Sequence, residues 1–189
     1  LNEKENIPEN HKEELDIIEK CRKNPHEFAV LYNRYYKPIW LYIHKRTADE
    51  TLSSDLTSQV FLKAMSGLSR YTYQGFGFSS WLYKIAVNEI NEFYRRKKIR
   101  QLFSIEDHDM QRLKLAVEED PDFSGESEIV LNCLKKLDPE DMQVIELRFF
   151  EDKSFKEIGF ILNMTENNAK VRTYRVLDKL RKILMPVKK

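Results

Sequence analysis

Cysteine is nearly missing from this chain: there are two in 189 residues, Cys21 and Cys133. They lie far apart in no CxxC or Cys–His spacing, which argues against a disulfide framework or a zinc site and for buried or idle thiols. His11, His26, His44 and His108 are scattered and form no HExxH pair. A P-loop, a GxGxxG turn and a nucleophile motif are all lacking, so a catalytic reading has no residue to start from. Neither a cofactor nor a small-molecule substrate is expected. Glycine and proline are scarce, at five and six, and alternating β-branched runs are few, which leaves little to build strands from. No apolar run approaches the roughly 18–20 residues that span a bilayer, and no charged-then-apolar leader opens the segment. The expectation is a soluble, cytoplasmic protein that does not insert into a membrane.

What is present is a helical vocabulary. Apolar residues make up 41% of the chain and aromatics 12%, enough for a buried core, and Leu, Ile, Lys and Glu dominate. The expected fold class is all-α, with two small helical domains joined by an acidic flexible linker. A net charge of +1 hides a segregation that bears on partners. Between 104 and 128 the acids Glu106, Asp107, Asp109, Glu118, Glu119, Asp120, Asp122, Glu126 and Glu128 face only Arg112 and Lys114. After Asp152 the balance reverses, with ten lysines and arginines against Glu157, Glu166 and Asp178. Two basic regions flanking an acidic one suggest two contacts with a polyanion.

The most informative stretch is 78–98, FSSWLYKIAVNEINEFYRRKK. Ser79 or Ser80 is suited to cap a helix. Trp81, Leu82, Ile85, Ala86, Ile90 and Phe93 then recur at helical spacing and are expected to face inward. Lys84, Asn88, Asn91 and Arg95 fall on the other face, and Arg95-Arg96-Lys97-Lys98 ends the run. Just upstream, the loop 71–78 carries Tyr71, Tyr73, Phe76 and Phe78. Aromatics beside amides and cations can stack unpaired bases and hold their phosphates. Inward packing of the four aromatics, with cations that merely suit the helix dipole, stands beside that reading as its alternative.

Around this stretch the chain reads as a helical series. A short helix is expected at 13–22, with Leu15, Ile18 and Cys21 on its apolar side. Asn24-Pro25 is a helix start leading into 26–46, where Phe28, Leu31, Tyr32, Tyr35, Ile39, Tyr42 and Ile43 should turn inward and Pro38 should kink the helix. Residues 51–67 form another helix, with Gly67 as its expected cap and Asp55, Ser58, Gln59 and Lys63 on a polar face. Weak periodicity and many acids mark 101–125 as a linker, between an extension at 1–24 plus a domain at 25–100, and a second domain at 126–186. In that second domain a helix containing Ile129, Val130, Cys133, Leu134 and Leu137 precedes Asp138-Pro139, an N-cap and first-turn proline. The next helix holds Met142, Val144, Ile145, Leu147 and Phe149. Ser154 with Glu157 is a capping box, Gly159 permits a close helix crossing, Asn163 suits a left-handed turn, and Thr165 caps the helix at 166–184. Cap, small residue, turn residue and apolar spacing agree on a helix-turn-helix.

Taken together, DLTSQVFLKAM (55–65), the 78–98 stretch and the segment 137–184 closely resemble the extracytoplasmic-function group of bacterial sigma factors in the sigma-70 family, over about 160 residues in the expected order. The resemblance implies a non-enzymatic initiation factor that binds core RNA polymerase, recognises the −10 and −35 promoter elements and promotes melting. Asp55, Ser58, Gln59 and Leu62 would face the polymerase. Tyr71 or Tyr73 would capture a base flipped from the −10 element, with Asn88 as the pocket amide and Lys84, Asn91, Arg95 and Arg96 beside it. Arg148, Thr165, Asn168, Lys170, Val171, Arg172, Tyr174 and Arg175 would serve the −35 element, Arg148 as a phosphate clamp. The acidic linker would thread basic polymerase channels. An anti-sigma partner, able to hold the factor at the membrane, is also implied. A DNA-binding regulator acting at an operator without polymerase is the competing reading, and it leaves the 71–98 constellation unexplained. A nucleic-acid-modifying enzyme is the third, and it lacks catalytic groups.

Overall fold

In a computed structural model of the protein, the described residues are 7–98, 109, 111–113, 134 and 137–184. They are helical, with no strand among them. Backbone contacts divide the chain into two units, Leu1–Leu102 and Phe103–Lys189. The acidic linker and the helix expected before Asp138 fall almost wholly outside the described residues.

The first unit begins with α1, Glu9–Lys23, which buries Ile18, Cys21 and Glu14. Burial raises the Cys21 thiol pKa, so it stays a small apolar filler. The Asn24 side chain then accepts the His26 amide at 3.2 Å, opening a 3₁₀ turn, Pro25–Glu27. Helix α2, Phe28–Thr47, runs through Pro38 as one element. Helix α3, Glu50–Gly67, is capped by Asp49, whose carboxylate accepts the Leu52 amide at 2.9 Å. After a 3₁₀ turn, Leu68–Arg70, and the loop 71–77, helix α4 covers Phe78–Lys97. Helices α2, α3 and α4 pack on one another around Leu31, Ile39, Ile43, Leu56, Val60, Ala64, Leu82, Ala86 and Ile90, all at most 4% exposed. Each such aliphatic side chain, alanine apart, contributes about 1.5–3 kcal/mol.

Several expectations need correction here. Neither Ser79 nor Ser80 caps α4: both are helical, and the N-cap is Gly77 with no side-chain bond of its own. The cap comes from α1, where Glu14 Oε2 accepts the Phe78 amide at 2.6 Å. Gly67 is no left-handed cap, because its φ is −88°. It is glycine so that the Trp81 ring can lie close, a Cβ there meeting Cζ2 at 3.2 Å. The inward stripe of α4 is rotated from the expected one. Tyr83, Val87 and Tyr94 are buried, whereas Trp81, Ile85 and Phe93 keep part of their surface. Tyr32 is likewise 36% exposed.

In the second unit α5, Pro139–Ile145, follows Asp138, which stands at the N-cap without a side-chain bond. The helix widens into a π turn, Glu146–Phe150. That extra residue per turn leaves Phe150 buried and Phe149 half-buried against the same core. Helices α6, Phe155–Leu162, and α7, Glu166–Leu184, make the helix-turn-helix. Ser154 and Glu157 form the capping box in both directions. Asn163 is left-handed at φ 55°, and Thr165 Oγ1 accepts the Asn168 amide at 3.1 Å. A Cβ on Gly159 would come within 2.8 Å of the Met164 carbonyl oxygen, so no other residue permits this turn without shifting the backbone. The core joins Leu113, Leu134, Met142, Ile145 and Phe150 to Val176, Leu177 and Leu180.

Candidate polymerase and nucleic-acid interfaces

Helix α3 turns Asp55, Ser58, Gln59 and Leu62 outward, because Leu56, Val60, Phe61 and Ala64 fill its inward face. Leu62 is 64% exposed and Met65 43%. The two lie three residues apart, on one side of the helix. Asp55 and Gln59 line a groove of about 370 Å³ between α3 and α4, with Phe93 and Arg96 on its other wall. Lys63 crosses that groove to the buried Glu89.

A second groove of about 490 Å³ lies further along, lined by Lys63, Gly67, Arg70, Trp81, Ile85, Asn88, Glu89 and Glu92. It offers an indole and an amide, a pair suited to a base, while its charges balance: Glu89 and Glu92 stand with Arg70 and Lys63, and Lys63 is already paired with Glu89. Asn88 opens into it, whereas Tyr71 and Tyr73 are not among its walls. Trp81, Ile85 and Arg70 were not expected there, since helical spacing had turned Trp81 and Ile85 inward. The signal that could have found them is Gly67, the small residue that seats the indole on α3. Of the remaining α4 residues, Arg95 is exposed and Arg96 pairs with Glu92. Lys84 and Asn91 are half-buried, and burial lowers the Lys84 pKa.

Tyr71 is not offered to a base in this arrangement. Its ring is 7% exposed and packs on Phe78 and Trp81 at 5.3 and 5.2 Å. Burial first, then the Glu14 carboxylate, raises its pKa, so the phenol stays neutral. Phe76 and Phe78 are buried too, which leaves Tyr73 as the half-exposed aromatic of the loop.

In the second unit the outward face of α7 carries Asn168, Lys170, Val171, Tyr174 and Arg175, while Ala169, Thr173, Val176 and Leu177 point into the core. Val171 and Tyr174 are 58% and 49% exposed. Arg148 is fixed at the start of the motif: its guanidinium lies 4.8 Å over the Phe155 ring and Nη1 donates to the Lys153 carbonyl at 3.1 Å. Phe155 also packs on Tyr174. Arg172 stands apart from the expected set. Its Nε donates to Asp141 Oδ1 at 2.7 Å and its Nη1 meets Glu140 Oε2 at 2.8 Å, so it ties α7 to α5. Lys179 Nζ, at 3.0 Å, and Arg175 Nη2, at 3.4 Å, approach the same Asp141. Thr165 is committed to its cap. Among the described residues no group of three or more His, Cys, Asp or Glu side chains could hold a metal ion.

Two family models match the chain: sigma-70 region 2 over residues 31–99 and sigma-70 region 4 over 133–182. The chain is 26% identical over 172 residues to the ECF RNA polymerase sigma factor BldN of Streptomyces coelicolor, an alignment spanning 90% of this chain and 65% of that protein. It is 28% identical over 155 residues to RNA polymerase sigma factor SigZ of Bacillus subtilis, covering 82% and 85%. Among solved structures, CnrH in complex with the cytosolic domain of CnrY aligns with a TM-score of 0.62 at 21% identity, over 93% of this chain and 99% of that one. The sigma factor RpoE bound to the anti-sigma factor NepR, from Bartonella quintana, aligns at 0.58 and 15% identity, over 86% and 99%. Both likenesses are of fold.

Proposed function

The chain belongs to the sigma-70 family, in its extracytoplasmic-function group, and from that premise we propose that it binds core RNA polymerase, directs it to promoters through a −10 and a −35 element, and helps open the duplex. It is an initiation factor without catalysis of its own. The observation that carries this reading is the coexistence of a helix-turn-helix, whose second helix α7 exposes Lys170, Val171, Tyr174 and Arg175, with an outward apolar and polar face on α3 that an operator-binding regulator would not need. Co-purification with core polymerase and run-off transcription test it together: a chain that binds promoter DNA but neither joins core nor starts transcripts is a regulator instead.

Asp55, Ser58, Gln59 and Leu62 form the polymerase contact, with Leu62 its apolar anchor. Leu62→Glu is expected to weaken core binding by more than about 30-fold, the scale of an interface hot spot, while DNA binding by the second unit is unchanged. A titration of labelled factor with core polymerase reads this directly, and an affinity within about threefold of wild type would remove Leu62 from the interface.

The −10 work is shared by Tyr73, Lys84, Asn88, Asn91, Arg95 and Arg96. Everting a base costs a few kcal/mol and one aromatic contact returns roughly 1–3 kcal/mol, so Tyr73 alone does not melt a promoter and the polymerase must hold the strands. Tyr71 supports the loop from beneath. The −35 duplex is held by Arg148, Lys170 and Arg175, with Asn168, Val171 and Tyr174 toward the bases. Lys170→Ala should weaken −35 binding and reduce the slope of log K against log salt by about 0.9, as one lost phosphate contact requires. Arg172→Ala should lower thermal stability and leave the slope alone. Equal slopes for wild type and Lys170→Ala would refute the phosphate contact. Among the described residues no helix is long and apolar enough to cross a membrane. The factor acts in the cytoplasm, where polymerase and promoters are, and an anti-sigma protein that covers the α3 face would hold it inactive there or at the membrane.

A further inference from the structure

Helix α1 has no part in polymerase or promoter binding as described so far, yet one of its faces is turned toward the loop that carries Tyr73. His11 and Glu14, three residues apart and therefore on one side of the helix, both bear on residues 73–78. His11 Nδ1 and the Tyr73 hydroxyl share a hydrogen bond of 2.8 Å. Their rings meet edge to face, centroids 5.6 Å apart at 64°. The imidazole also rests against Gly77, where a Cβ would lie 3.2 Å from Nε2 and 3.6 Å from Cδ2. Tyr73 and Gly77 thus both bear on one ring, and the aromatic it touches is the half-exposed one of the loop.

We propose that His11 is a positioning residue for nucleotide capture: it fixes the ring of Tyr73, the platform on which an everted promoter base stacks. The inference rests on the reading of Tyr73 as that platform. A tyrosine on a loop between helices otherwise loses rotamer freedom only when the base arrives, and that ordering subtracts from stacking. Tethering its hydroxyl at one edge orders the ring beforehand and leaves its face for the base. The tether does not depend on a proton: a phenol hydroxyl donates to a bare Nδ1 and accepts from a protonated one.

The experiment uses the full chain with core polymerase, reading promoter opening from permanganate reactivity of −10 thymines and core affinity by titration. His11→Ala should slow opening by about 2- to 10-fold, the range of one lost neutral hydrogen bond, at unchanged core affinity and with no more than the few degrees of melting temperature that one such bond is worth. His11→Asn, whose amide can reach the position of Nδ1, should recover most of the rate. Tyr73→Phe should share the defect, and the double variant should be no worse than either single one. Normal opening by His11→Ala alongside a defect in Tyr73→Ala overturns the positioning role and spares the platform. Normal opening by Tyr73→Ala overturns both. A His11→Ala defect that comes with equal losses of core affinity and melting temperature reduces His11 to a packing residue and overturns the proposal.

Discussion

Replacing Asp141 with alanine is expected to cost the second unit about 3 kcal/mol and to abolish −35 binding. The carboxylate is 1% exposed in the first turn of α5 and takes hydrogen bonds from Arg172, Arg175 and Lys179, all on α7. Removing one partner of a buried ion pair costs roughly 3–5 kcal/mol, because the charge left behind has no compensation. The low end applies here, since the Arg175 and Lys179 side chains are 59% and 49% exposed and can return to water. Arg172, at 23% exposed, cannot do so easily and keeps only Glu140 as its partner. Three cations on one stretch of α7 would then repel one another, and the reading helix would lose its register on α5. Burial raises the Asp141 pKa, but Arg172 and Lys179 more than offset it, so the group sits below its ordinary value. A carboxylate depressed in the folded state contributes stability that is present above the unfolded pKa of about 4 and is lost as pH falls through the folded value. The wild-type unit should therefore lose stability below about pH 4, and Asp141→Asn should be less stable at neutral pH with a flatter acid limb. Circular dichroism melts across pH 3–7 check both. An Asp141→Ala melting point within about 2 °C of wild type would contradict the assignment.

How much of this was legible beforehand follows from the range of each interaction. Ser154 with Glu157, Gly159, Asn163 and Thr165 act within one turn of chain, so their types and spacing carry the helix-turn-helix almost unaided. The outward set on α3 was legible for the same reason. The errors lie where a partner is distant in sequence. Serines at 79 and 80 are good local caps, but Glu14, 64 residues earlier, takes the Phe78 amide and the helix starts sooner. Trp81 fits an apolar stripe by spacing, yet its indole settles on Gly67 and faces a groove. Arg172 is one cation among many in sequence; only Asp141, 31 residues away, sets it apart from Lys170. The loop aromatics posed the hardest case. Composition cannot say which of four rings goes inward when the decision is made by α1, a helix that composition left without a role.

That helix also carries the second large effect. Glu14→Ala should destabilise the first unit by about 2–3 kcal/mol and slow promoter opening by more than about tenfold, while core binding persists. Glu14 is 4% exposed, and its two oxygens are divided between elements, Oε2 taking the Phe78 amide at 2.6 Å and Oε1 the Tyr35 hydroxyl. A hydrogen bond to a charged group is worth roughly 1.5–3 kcal/mol, and a carboxylate at a helix N-terminus adds about 0.3–1 kcal/mol through the dipole. Without it the first amide of α4 would lack its partner and the half-buried Tyr35 phenol would lose its carboxylate acceptor, beneath the loop that holds Tyr71 and Tyr73. Arg22, which donates to the Leu68 carbonyl at 3.1 Å and to that of Tyr71, would still tie α1 to the start of the loop, so the damage should concentrate at residues 73–78. Helix α3 has its own cap in Asp49 and its own packing on α2, which is why polymerase affinity should survive. Glu14→Gln separates the two functions of the carboxylate, because its single carbonyl oxygen can still accept the Phe78 amide but brings no charge. It should recover roughly half of the lost stability and most of the opening rate. Hydrogen exchange at the Phe78 amide would follow the same order, fastest in the alanine variant. An alanine variant that opened promoters at the wild-type rate would show that α4 needs no cap from α1 to present its face to DNA.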